Sequence, residues 1–259
     1  MIRHTVDENF FKTWTRESAW TYGWLLTDGS VEEKSGQIRV MLKSIDRDVL
    51  EKMKHVMLFS GPIYDGEQRD GRKFSYLRVC RKGMAEDLFS LGMARTDKTF
   101  NTVLPDVPDK VFWDLMRGIF EGDGSIRHRT GNTNVLEITI AGATKQFMYD
   151  LQSALERRGI FMRMYTRKPG VSGSKHEMHT LTTRSNEDAL RLCYFMYANT
   201  NETIRMNRKF NVYVNYIRDY YDRKRRSASC GELVELAYQN IPEISEMDAV
   251  SNRLLSEVV

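Results

Sequence analysis

The chain is poor in cysteine and histidine, and it has no long apolar run. Its three cysteines, Cys80, Cys193 and Cys230, are odd in number and far apart in a chain of 259 residues. That argues against a disulfide frame or a zinc site and for a reducing compartment. Of the five histidines, only His176 and His179 lie close together, and they read as solvated strand or loop. No apolar stretch approaches the roughly 18 residues of a membrane span. Met1-Ile2-Arg3-His4 leads into a polar, aromatic segment rather than a signal peptide. The expectation is a protein that is not secreted, cytoplasmic or associated with an organelle or nucleoid.

What is present is ordinary in amount and uneven in place. An apolar content of 41% and a mean hydropathy of −0.51 describe a globular chain, long enough for two domains with their own cores. From Cys230 to Val259 six acids stand against one base, a net of −5, which leaves +9 on residues 1 to 229 of the total +4. A basic body with an acidic tail suits a polyanion partner.

Two stretches are near-copies: Gly23-Trp24-Leu25-Leu26-Thr27-Asp28-Gly29-Ser30-Val31 and Gly118-Ile119-Phe120-Glu121-Gly122-Asp123-Gly124-Ser125-Ile126. Their glycines and their aspartates both stand 95 positions apart, the mark of a tandem duplication. Ala19, Gly23 and Thr27 fall at four-residue spacing, as do Gly118 and Gly122, so each helix carries a stripe of small residues that lets two backbones approach closely. Each aspartate closes its helix, with Gly29 or Gly124 expected in the left-handed conformation that ends one. A carboxylate there faces the negative end of the macrodipole. Two such helices packed in the same direction would bring two carboxylates together, with a repulsion of a few kcal/mol at an effective dielectric of about 20. A divalent cation with oxygen ligands would relieve it. The second copy is not a calcium loop, because that loop's glycine and glutamate positions hold Ile126 and Asn132.

The pair resembles the LAGLIDADG homing endonucleases in their single-chain, two-motif form. Gly23 and Gly118 take the motif's third position, Asp28 and Asp123 its catalytic eighth. The first motif departs at its sixth and seventh positions, Leu26 and Thr27. The likeness runs from about Thr15 to Tyr216, through the interval from Leu91-Gly92-Met93 by Lys98-Thr99 to Leu104-Pro105.

In chain order, Met1 to Trp14 reads as a lead-in helix or arm packed on the first motif helix. A polar turn, Glu32 to Gly36, precedes Gln37 to Lys43, where Ile38, Val40 and Leu42 alternate with polar residues as in a half-buried strand. Asp46 to Phe59 reads as an amphipathic helix. A strand from Ile63 turns through Asp65 to Arg72 into Lys73 to Arg81, and Lys82 to Gly92 is helical. Residues 101 to 110, with Pro105 and Pro108, form a linker. The second half repeats the order: a turn from Arg127 to Asn134, a strand to Ile140, a helix from Lys145 to Arg158, strands Phe161 to Thr166 and Lys175 to Thr183 around a tip at Gly170 to Ser174, and a helix from Glu187 to Tyr197. The expected class is α+β, with two tandem αββαββα halves at 1–104 and 111–216. Residues 217–259 add the basic run Arg223 to Ser227 and an acidic segment whose Leu233, Val234, Leu236 and Ala237, and later Leu254 and Leu255, suit short packed helices.

Two such sheets suit double-stranded DNA, because a β-ribbon fits the major groove, where all four base pairs can be told apart. Related by a pseudo-two-fold axis, they would form a saddle over a long, roughly palindromic site. The DNA-facing candidates are Gln37, Arg39, Lys43, Lys73 and Arg78 in the first half. In the second they are Glu137, Thr139, Arg163, Tyr165 and Arg167. The resemblance implies a monomer that uses divalent metal to hydrolyse one phosphodiester per strand across the minor groove, leaving short 3′ ends. Asp28 and Asp123 would hold the metal, with main-chain carbonyls near Thr27 and Gly122. Mg²⁺ is the expected ion, with Mn²⁺ substituting and Ca²⁺ supporting binding alone. By position Lys98 and Lys209 are the catalytic basic residues, countering charge on the phosphorane and orienting water. The glutamine some members use has no clear counterpart, since Leu42 or Lys43 falls there in one half and Ala141 or Gly142 in the other. A splicing maturase would be favoured by loss of a motif acid, and a DNA-binding regulator by a fused helix-turn-helix. Neither feature is found.

Overall fold

The computed structural model describes residues 4–130, 134–170, 176–222 and 228–241. The first motif helix, α1 (Arg16–Thr27), opens on a capping box in which Thr15 accepts from the Ser18 amide and the Ser18 side chain accepts from the Thr15 amide. Strands β1 (Gly29–Glu32) and β2 (Gln37–Lys43), a 3-10 turn (Ser44–Asp46) and helix α2 (Arg47–Val56) follow. Then come β3 (Ile63–Glu67), β4 (Lys73–Cys80), α3 (Lys82–Ser90) and a single turn, α4 (Lys98–Asn101). After the linker the order recurs: α5 (Asp109–Asp123), β5 (Gly124–Arg129), β6 (Val135–Gly142), α6 (Lys145–Glu156), β7 (Met162–Arg167), β8 (Met178–Thr183) and α7 (Asn186–Tyr197). Two more helices, α8 (Asn207–Asp222) and α9 (Ala228–Asn240), complete it.

Each half holds one antiparallel sheet of four strands, ordered β1-β2-β4-β3 in the first and β5-β6-β8-β7 in the second. The identical order makes the halves structural repeats, as the α+β reading expects. Alternation places Ile38, Val40 and Leu42 under Val49, Leu50 and Met53 of α2, all buried. Leu136, Ile138 and Ile140 stand the same way under Met148, Leu151 and Leu155 of α6. No helix among the described residues is long and apolar enough to cross a membrane.

The halves join where α1 crosses α5, and the small residues govern the approach. A Cβ added at Gly23 would lie 2.5 Å from the Leu115 carbonyl oxygen and 2.8 Å from the Gly118 Cα. One added at Gly118 would collide with the Trp20 carbonyl oxygen, and one at Gly122 with the Thr27 side chain. Trp20, Gly23 and Thr27 thus meet partners that advance in the same chain direction, so the helices run parallel and end together. Ala19, the remaining member of the stripe, is fully buried.

Several readings need correction. Gly29 and Gly124 do not turn left-handed; Gly124 has φ −89° and ψ 162°, and both residues open a strand directly. Glycine is required there by space, since a Cβ at Gly29 would sit 2.5 Å from the Leu25 Cα and one at Gly124 would strike the Phe120 carbonyl. Arg127 to Arg129 belong to β5, not to a turn, because they pair with Glu137 to Val135 of β6. The first hairpin's strand continues to Glu67, leaving Gln68 to Arg72 as its tip. Of the two readings of the first segment, residues 4–14 form the arm and not the helix; they dock on α1 through Trp14 against Tyr22 and on the end of α2 through the Asp7 amide and the Met57 carbonyl. Helix α8 runs on past residue 216, with Ile217 fully buried. In α9 Val234 and Ala237 are buried while Leu236 is exposed. The tip residues 171–174, the basic run 223–227 and Leu254 and Leu255 lie outside the described residues.

Because the crossing leaves no room for a methyl group, Gly23→Ala and Gly118→Ala should each lower stability by about 1–3 kcal/mol, the overpacking scale. Gly83→Ala in α3, where nothing lies within 4 Å, should be neutral or stabilising. Urea unfolding midpoints of the three variants check this; a Gly118→Ala chain as stable as wild type would contradict the close crossing.

Candidate functional site

The parallel crossing puts both motif acids at one end of the helix pair. Asp28 caps α1 at φ −93° and ψ 3°, and Asp123 is the last residue of α5. Both residues are open to solvent on one side. Surrounding protein pushes the Asp123 carboxyl up to about 6, and the nearby Asp28 charge adds to the rise while Lys98 and Lys209 oppose it. Burial also raises Asp28; Lys98, Lys209 and the Thr27 hydroxyl hold it down, and Asp46 pushes it up.

The two lysines predicted from position occupy equivalent places. Lys98, at the start of α4, donates from Nζ to the carbonyl oxygens of Leu25 at 3.1 Å, Thr27 at 2.7 Å and Gly29 at 2.5 Å. Lys209, on α8, donates to those of Phe120 at 2.8 Å, Glu121 at 2.6 Å and Gly124 at 2.5 Å. These carbonyls lie in the last turn of each motif helix and at the first residue of the strand that follows, where a helix end leaves acceptor capacity open. Burial pushes the Lys209 ammonium down to about 8, against the pull of Glu121, and lowers Lys98 too. The Thr27 hydroxyl turns back to the Trp24 carbonyl at 3.1 Å, and its side chain lies against Gly122.

The acid at the motif's sixth position explains a difference between the halves. Glu121 is fully buried and accepts from the Trp20 indole at 2.7 Å, the Met206 amide at 2.8 Å and the Tyr197 hydroxyl at 3.3 Å. Burial raises its carboxyl, offset first by Arg117. It therefore ties α1 to α7 and to the start of α8, the helix that carries Lys209. Leu26, its counterpart, is an apolar core residue.

Two residues beside Asp28 have no forewarning in the sequence. Arg208 holds Asp46 bidentately across the halves, Nε to Oδ1 at 2.8 Å and a terminal nitrogen to Oδ2 at 3.0 Å. Lys52 adds a second tie between the halves, to the Arg205 carbonyl at 2.7 Å. Asp28, Lys43, Asp46, Lys73, Arg208 and Lys209 line one cleft. Asp46 stands at the start of α2, as the sequence reading expects, and its pairing with Arg208 brings it into the site.

Outside the crossing, the strand registers place the groove candidates. Gln37, Arg39 and Lys43 share the outward face of β2, and Arg78 of β4 stands opposite Arg39. Lys73 shares its strand parity with the buried Ser75, Leu77 and Val79 rather than with Arg78, and it is exposed and lines the cleft with Lys43 and Asp28. The same outward face carries an aromatic group absent from the sequence reading. Tyr64 and Tyr76 stack at 5.0 Å, with Arg39 4.5 Å above Tyr76 and Arg78 5.6 Å above Tyr64. In the second sheet Glu137 and Thr139 share a face with Arg163, Tyr165 and Arg167, through Thr182 and Thr180 between them. Arg127 and Arg129 of β5 join that face, and Arg129 pairs with Glu137.

The LAGLIDADG-like domain model matches residues 17–90 and 114–194, once in each half. No curated protein matches the chain. Among solved structures, the LAGLIDADG homing endonuclease I-GzeII, in complex with its DNA target, superposes with a TM-score of 0.55 at 12% identity, covering 87% of this chain and 98% of that one. I-LtrWI, bound to target DNA, gives 0.54 at 13%, covering 86% and 97%. I-WcaI, bound to its DNA recognition sequence, gives 0.51 at 15%, covering 78% and 91%. With the family model matched in both halves and one motif helix in each, the chain belongs to the LAGLIDADG family, in its single-chain, two-motif form.

Proposed function

We propose that this chain is a site-specific DNA endonuclease of the homing type, cutting one phosphodiester in each strand of a long, pseudo-palindromic duplex site. The observation that carries the reading is the meeting of Asp28 and Asp123 at one end of the parallel helix pair, with a basic outward sheet face in each half. The solved relatives I-GzeII and I-LtrWI, bound to DNA targets, support the same partner. Retention of both acids favours a nuclease over a splicing maturase or a non-catalytic regulator.

The donor set fits a hard divalent cation. Burial first and the Asp28 charge second raise Asp123, and the Thr27 carbonyl lies at the end of α1 next to Asp28 in the chain. No cluster of three or more metal-binding side chains exists among the described residues, so the two acids and main-chain oxygens near Thr27 and Gly122 would be the ligands. Mg²⁺ suits this set, Mn²⁺ can replace it, and Ca²⁺ with its looser shell would support binding without cutting. The bound ion would supply an activated water and charge stabilisation at the scissile phosphate and the leaving 3′ oxygen. The protein's own part is placement. The sheets fix the duplex, the carboxylates hold the cation, and the buried ammoniums keep positive charge beside the phosphate, where it counts most as charge develops.

Asp28→Asn and Asp123→Asn each remove one negative ligand at nearly constant shape. Cleavage should collapse on at least one strand, leaving nicking at most, while specific DNA binding persists. Plasmid cleavage with a parallel binding assay checks this, and wild-type double-strand cutting by both single variants would sink the paired-acid site.

Proton competition gives a second test. In the metal-free fold Asp123 keeps its proton up to about pH 6, whereas its unperturbed value is 3.8. Folding therefore takes up a proton between these values, and the stability it contributes is full below the lower one and lost as pH rises through the upper. In EDTA, the melting temperature of wild type minus that of Asp123→Asn should fall over this window. The Mg²⁺ concentration for half-maximal cleavage should rise as pH drops below about 6. A difference that rises across the window would contradict the assignment.

A further inference from the structure

We propose that Lys98 and Lys209 are built-in counter-cations, positioning residues that hold the ends of the motif helices and their carboxylates together whether or not a metal ion is bound. An ammonium has three N–H donors. Each of these spends all three on main-chain carbonyls, two in the last turn of the motif helix and one on the first residue of the following strand. Neither can donate to a phosphate or a water without giving up one of those bonds, so their first role is toward the protein.

The charge balance explains why such a device is needed. Two parallel helix ends carry about half a negative charge each, and Asp28 and Asp123 add two more at the same place. The two ammoniums return two positive charges. The remaining negative charge is enough to attract a cation without driving the helix ends apart when none is present.

The arrangement occurs twice on different supports. Leu25 and Gly29 are the counterparts of Phe120 and Gly124, 95 positions on, yet the lysines that reach them stand 111 apart. Lys98 comes from a single turn after α3, and Lys209 from the long helix α8. Loop lengths diverged between the halves while the contact between ammonium and helix end did not. The Ca²⁺ arm of the test rests on the proposed metal site, whereas the EDTA arm and the coupling to Asp28→Asn concern metal-free folding and distinguish a failure of this inference from a failure of the nuclease reading.

The test is thermal unfolding without DNA, comparing wild type, Lys98→Met and Lys209→Met in EDTA and in millimolar Ca²⁺. In EDTA each variant should melt about 4–8 °C below wild type, the shift expected for losing a partly buried helix-end cation in a chain of this size. Ca²⁺ should raise each variant by roughly twice the shift it gives wild type, since the ion then takes over part of the ammonium's work. Asp28→Asn should raise the melting temperature more in the Lys98→Met background than in wild type. If Lys209→Met does not fold in EDTA, folding on addition of Ca²⁺ supports the proposal and failure in both conditions overturns it. Equal losses with and without Ca²⁺, together with no coupling to Asp28→Asn, would show packing and hydrogen bonding alone and would also overturn it.

Discussion

The approach of two helix backbones at Gly23 and Gly118 is the constraint from which the rest of the molecule follows. Because no Cβ fits at either position, the helices meet main chain to main chain. Because they run parallel, their negative ends coincide, and so do Asp28 and Asp123. The sheets follow the helices without an intervening loop, since β1 begins at Gly29 and β5 at Gly124. The spacing of the two acids and the placement of the two outward sheet faces are thus one geometric fact.

That geometry sets opposing demands. A site for a cation needs uncompensated negative charge, whereas a stable crossing needs little of it. Burial first and the Asp28 charge second raise the Asp123 carboxyl, and the lysines on the adjacent carbonyls oppose that rise. The halves carry the load differently. Glu121 anchors the start of α8 and hence Lys209, while the first half has apolar Leu26 at that position and brings Lys98 in from a short turn. Arg208 on Asp46 and Lys52 on the Arg205 carbonyl then lock the halves beside Asp28.

Much of this was legible in the sequence because it is periodic or repeated. The duplicated motif gave the helix pair, and alternation in Gln37 to Lys43 and Val135 to Ile140 gave the central strands. What stayed hidden had no period to show. Arg127, His128 and Arg129 lack apolar alternation because β5 is an edge strand, and only its pairing with β6 identifies it. The parity of Lys73 differs from that of Arg78, which composition does not show, because it does not fix the register of a strand's first residue. The aromatic group of Tyr64 and Tyr76 needs two strands brought side by side, and Asp46 with Arg208 needs two halves. Contacts between residues far apart in sequence leave no local trace.

The central claim is that two acids at a shared helix end, set beside two basic sheets, make a sequence-specific nuclease. Its most direct test is to incubate the chain with Mg²⁺ and a randomised duplex library and to sequence the ends produced. The account predicts paired breaks at one family of long, roughly palindromic sites, with short 3′ single-stranded ends, and their disappearance in EDTA. No cutting above the EDTA control, or breaks scattered without sequence preference, would contradict it.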